Sequence, residues 1–116
     1  MKINIQSLHA RVGEKTLERV TAKFNRLSKL FDRIIQCDVT LKKENSDSKE
    51  DFMVEAKLAI PGNDLFAREK AYSYSTAAYR VYDDLASLIR KHKAKIRRKS
   101  KRSVDTFLSD SDEETY

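Results

Sequence analysis

At 116 residues the chain is long enough for one domain with a tail, and a single core is feasible at that size without metal or disulfide. One cysteine excludes an internal disulfide and a multi-cysteine zinc site; an opening without the apolar stretch of a secretory signal, and no run near the ~18 apolar residues of a membrane span, point to a cytosolic protein. Net charge is +6 but unevenly spread: residues 1–89 carry +2, residues 90–102 hold nine Lys/Arg and no acid, and residues 103–116 hold five acids and no base.

In chain order, Ile3 and Ile5 alternate with Lys2, Asn4 and Gln6, which predicts a short first strand. From Glu14 the period becomes helical. Leu17, Val20, Phe24, Leu27, Phe31 and Ile34 recur at three- and four-residue steps with no Gly or Pro between, predicting one helix from Glu14 to Ile34. Ile35, Cys37, Val39 and Leu41 then share one face of a second strand. This places Cys37 in the core as a small apolar residue rather than as a nucleophile.

Lys43 to Asp51 reads as an exposed loop. Phe52, Val54, Ala56, Leu58 and Ile60 alternate as a third strand, and Ile60-Pro61-Gly62-Asn63 has the Pro and Gly of a type II turn. A fourth strand follows over residues 65–70, where Leu65-Phe66-Ala67 leaves the inward face open. The last helix starts after Ser73 or Ser75, either of which suits an N-cap. Ala78, Val81, Leu85, Leu88, Ile89, His92 and Ile96 form its apolar stripe. The expected fold class is α+β, in the order β-α-β-β-β-α, with one four-stranded sheet and two helices packed on one face. Residues 1–100 form the expected domain and residues 101–116 a flexible tail, basic then acidic. In the free protein the acidic end is read equally well as folding back over Arg97 to Arg102 or as merely solvating.

Lys15, Arg19, Lys23, Arg26, Lys29 and Arg33 make a second, cationic stripe beside the apolar one. The last helix ends in Arg90, Lys91, Lys93, Lys95, Arg97, Arg98 and Lys99. The first stripe alone is equally well read as a solvated face, and the basic end of the last helix has the competing reading of a solvated face or a partner for the helix dipole. If the helices lie side by side, the two merge across a groove that suits successive phosphates of folded RNA. The expected RNA-binding set is Lys23, Arg26, Lys29, Arg33, Arg90, Lys91, Lys93, Lys95, Arg97 and Arg98.

Other chemistries have little in the sequence. His9 and His92 are far apart, and His92 suits packing or a phosphate contact better than acid–base work. Two glycines cannot build a phosphate-binding loop. Tyr72, Tyr74, Tyr79 and Tyr82 are placed either to stack on bases or to pack on the helix. RRKSKR followed by SDSDEE matches a nuclear localisation pattern, of a kind that basic runs match by chance. No cofactor, no small-molecule substrate and no catalytic role are expected.

VTAKFNRLSKLFDRI, IPGNDLFA and LIRKHKAKI, in that order and spacing, resemble the ribosome hibernation-promoting factors, also called ribosome-associated inhibitors, over about residues 2–97. The resemblance implies a protein that docks on the small ribosomal subunit near the decoding region, between head and body. There it would occupy the path of messenger and transfer RNA and stop translation in stress or stationary phase. Lys23 and Arg26, with Arg90, Lys91, Lys93 and Lys95, would then face ribosomal RNA, with ribosomal proteins as a further class of contact. The family's last helix carries an acid in its early turns, whereas STAAYRVYDD here has Tyr79 at that place. The chain also resembles the short members, without the second domain that dimerises in the long ones. The reading of the residues alone leaves a second possibility, a general RNA-binding or RNA-chaperone module without a dedicated ribosomal site.

Overall fold

The computed structural model describes residues 1–8, 11–44 and 51–104, with side chains through Arg97. The acidic end of the tail, and with it the choice between fold-back and solvation, lies outside the described residues. The elements follow the expected order with one short helix added: β1 (Lys2–Leu8), α1 (Glu14–Asn25), α2 (Leu27–Leu30), β2 (Gln36–Lys43), β3 (Phe52–Ile60), β4 (Asn63–Ala71) and α3 (Tyr74–Val104).

The sheet runs β1-β2-β3-β4. β1 and β2 pair in parallel, with Ile3 opposite Cys37 and Ile5 opposite Val39. The other pairings are antiparallel, with Leu41 opposite Val54 and Leu58 opposite Leu65. Gly62 has φ +80°, as the predicted turn requires. In β4 it is Leu65 and Ala67 that face inward, while Phe66 is half exposed on the outer face.

One core fills the space between the inner sheet face and the helices. Val20, Phe24 and Leu27 meet Cys37, Val39, Leu41, Val54, Ala56 and Leu58 there, together with Ala77, Ala78, Val81, Leu85 and Ile89 of α3. Ser73 is the residue that starts α3: its Oγ accepts from the Thr76 N–H at 3.2 Å, and its carbonyl accepts the first helical bond, from the Ala77 N–H at 3.0 Å. Burial pushes the Cys37 thiol up to about 12, helped by the nearby Asp38 charge, so the thiol stays protonated and inert.

Two expectations need correction. The helix does not run to Ile34. At Arg26 the N–H turns to the Lys23 carbonyl at 3.2 Å, and Ser28 Oγ donates to the Asn25 carbonyl at 2.8 Å, a local competitor of the helical ladder. The single turn α2 follows, and Phe31 is then fully extended at φ −157°, ψ 116°. β2 begins at Gln36, so a helix reaching Ile34 would leave no chain in which to turn; Phe31 and Ile34 instead reach the core from non-helical backbone. Ile35, assigned to the inner face of β2, is 60% exposed because it precedes the strand, its N–H donating to the Ala59 carbonyl.

Candidate nucleic-acid interface

α1 and α3 lie on the same sheet face, and the groove between them collects cations from both. Its larger part is a cleft of about 450 Å³ between α2, the turn after it and the far half of α3. Lys29 and Arg33 line one wall and Lys93 and Arg97 the other, with Asp32 as the one acid and Leu30, Phe31 and Ile96 as the apolar floor. Two contacts hold the walls together. The Lys93 ammonium donates to the Leu30 carbonyl at 3.0 Å, and the His92 ring stands edge-on to Phe31 at 5.6 Å between centroids. His92 is therefore a packing residue here.

Three salt bridges among the described residues lie on the sheet. On its outer face three cations are paired with acids, Lys57 with Asp64, Arg68 with Glu55 and Lys70 with Glu44, while Lys2 and Lys42 form no salt bridge among the described residues. That last pair spans β3 at Met53, which is buried although it points away from the main core. On the helical face, none of Lys23, Arg26, Lys29, Arg33, Arg90, Lys91, Lys93, Lys95 or Arg97 forms a salt bridge among the described residues. Unpaired charges in a concave surface with apolar walls focus a positive field into it.

The ten expected residues do not all gather in one place. Lys29, Arg33, Lys93 and Arg97 line the cleft, and helical geometry at about 100° per residue puts Arg90 on the same side of α3. The same geometry turns Lys91 and Lys95 about 160° away from Lys93, and both are exposed there. Arg26 is exposed at the break between α1 and α2. Arg98 lies in α3, but its side chain is outside the described set.

Lys23 is half-buried, its ammonium 3.9 Å from the Tyr79 ring centroid and 4.4 Å from that of Tyr82. Where the family resemblance puts an acid, this chain thus gives Lys23 an aromatic partner. The alkaline stripe made Lys23 visible in the sequence; its pairing with tyrosines one helix away left no signal there. The four tyrosines split accordingly: Tyr74 is buried, Tyr82 half-buried, and Tyr72 and Tyr79 are exposed. Among the described residues no three His, Cys, Asp or Glu gather as a metal site, and no helix is long and apolar enough to cross a membrane.

The architecture is a known class of α+β fold. It matches a ribosomal subunit interface protein from Coxiella burnetii with TM-score 0.71 at 18% identity, covering 81% of this chain and 99% of that one. It matches the N-terminal domain of Thermus thermophilus Protein Y with TM-score 0.67 at 18% identity, covering 79% and 99%. At that identity the likeness is one of fold. The family follows from sequence: the chain belongs to the Sigma 54 modulation protein / S30EA ribosomal protein family, matched over residues 3–97. The ribosome hibernation promoting factor of Escherichia coli is 34% identical over 97 residues, 84% of this chain and 98% of the relative. That of Pseudomonas putida is 32% identical over 95 residues, 82% and 89% respectively.

Proposed function

We propose that this protein is a non-enzymatic ribosome hibernation factor. It docks on the small ribosomal subunit near the decoding region, between head and body, and contacts ribosomal RNA through the cleft between α2 and α3. By filling the path of messenger and transfer RNA it stops translation in stress or stationary phase, in the cytoplasm. The observation that carries this reading is the clustering of Lys29, Arg33, Lys93 and Arg97 around one cleft with no salt bridge among the described residues, whereas Lys57, Arg68 and Lys70 on the sheet are each paired with an acid. Folded RNA fits as the anion for that cleft, because its phosphates are spaced and recognised by shape and backbone. The family and the curated relatives, named ribosome hibernation promoting factors, support the ribosome as the source of that RNA.

Co-sedimentation with purified small subunits tests the reading. The wild-type chain should pellet with them and inhibit translation in a reconstituted extract. The double variant Lys29→Glu, Arg97→Glu should remain in the supernatant and leave translation running. Equal affinity for intact subunits and for naked RNA of the same length would instead favour a general RNA-binding module.

A further inference from the structure

The groove between α1 and the near half of α3 holds a second, smaller space of about 170 Å³, lined by Arg19, Val20, Lys23, Ser75, Ala78 and Tyr79. Small-molecule and cofactor sites typically offer about 300–1,000 Å³, so this one has room for a single ring system and little more. Val20 and Ala78, both buried, make its apolar floor. Tyr79 is 55% exposed although Lys23 covers one ring face, which leaves the other face to solvent.

The charge at this groove is unspent. A cation–π contact orients an ammonium without cancelling its charge as a carboxylate would. Lys23 and the exposed Arg19 therefore both stand at the groove with no salt bridge among the described residues. An open aromatic face, an apolar floor and two free cations form the combination that takes one unstacked base together with its phosphate. An acidic peptide would answer the cations but offer the ring no planar partner.

We propose that this groove binds one unpaired RNA nucleobase stacked on Tyr79, with the attached phosphate held by Arg19 and Lys23. The proposal rests on the RNA-binding reading above and deepens it. The larger cleft grips backbone, whereas this groove selects a single-stranded nucleotide splayed out of its helix.

The chain contains no tryptophan, so Tyr79→Trp installs one indole as reporter. An end-labelled adenosine decamer is titrated against it, beside inorganic polyphosphate, a polyanion without bases. The decamer should quench the indole emission, and polyphosphate should bind without quenching. Tyr79→Ala should weaken decamer binding by about fivefold or more and leave polyphosphate binding unchanged, while Tyr79→Phe should keep wild-type affinity. A decamer that binds, by anisotropy of its label, without quenching overturns the base site and leaves the ribosomal reading standing. So does an equal loss for both polyanions in Tyr79→Ala. If the decamer does not bind at all, the base site is again overturned, and only a failure to bind small subunits as well would take the wider reading with it.

Discussion

The Lys93 ammonium donates to the Leu30 carbonyl at 3.0 Å, joining two residues 63 apart in sequence. Leu30 ends α2, where Phe31 turns to extended backbone, so its carbonyl has no further helical turn to serve it. A side chain from α3 thus finishes a helix on the opposite wall and fixes the distance between Lys29 and Arg33 on one side and Arg97 on the other. Lys93 both shapes the cleft and contributes charge to it.

Replacing Lys93→Met keeps most of the stem and removes the donor. Stability in urea should fall by about 0.5–1.5 kcal/mol, as for one exposed hydrogen bond, and small-subunit binding should weaken more than the lost charge at Lys95→Met causes. Equal binding losses for the two variants would remove the shaping role.

Phe24 is fully buried and Arg26, two residues on, is exposed. Phe24→Ala should cost about 3–5 kcal/mol in urea unfolding. Arg26→Glu and Arg33→Glu should stay within about 0.5 kcal/mol of wild type while weakening small-subunit binding. Charge reversals that unfold the domain would mean the faces are wrongly assigned.

If six or more phosphates are neutralised in the complex, affinity should fall by about a thousandfold between about 50 and 200 mM salt, using duplex DNA as the guide. Binding measured across that range with near-constant affinity would contradict an electrostatic interface.

Tyr74 is buried, its ring edge-on to Phe52 at 4.9 Å, and its hydroxyl has no hydrogen-bond partner among the described residues. A buried hydroxyl without a partner carries its desolvation cost uncompensated. Tyr74→Phe keeps the ring contact and should leave stability unchanged or raise it by up to about 1 kcal/mol. A clear loss in thermal unfolding would show that the hydroxyl is bonded in solution.

Glu69 titrates above the ordinary glutamate range, chiefly through its hydrogen bond with the Asp84 carboxyl, then through burial and the Asp84 charge, with Arg80 opposing. The folded state therefore holds this proton to higher pH than the unfolded chain does. The stability tied to it is complete below the ordinary glutamate range and is lost as pH rises through the raised one. Asp38 behaves oppositely: hydrogen bonds from Asn4 and Gln36 hold it below the ordinary range, and the associated stability is lost as pH falls. Asp84→Asn should flatten the loss in urea midpoint as pH rises above the ordinary glutamate range. A slope unchanged from wild type would show that the two carboxyls do not interact.

Much of this protein was legible in the order of its residues. Alternation in β2 and β3, the Pro61-Gly62 turn, the Ser73 cap and the apolar stripe of α3 are local signals, because side-chain period and turn geometry depend on near neighbours. The family strings and the two cationic stripes were legible for the same reason. What only the tertiary structure decided is where those stripes meet. Three- and four-residue spacing told that Phe31 and Ile34 are buried, but burial does not require a helix, and the chain needed those residues to turn into β2. The same limit applies to the site. Lys93 and Lys95 look alike in sequence, yet one reaches the Leu30 carbonyl and the other points away. Lys23 finds Tyr79 and Tyr82, and Lys57 finds Asp64, so that one cation stays unneutralised and the other does not. Those differences come from contacts between elements, which depend on helix rotation and packing and leave no periodic trace in the chain.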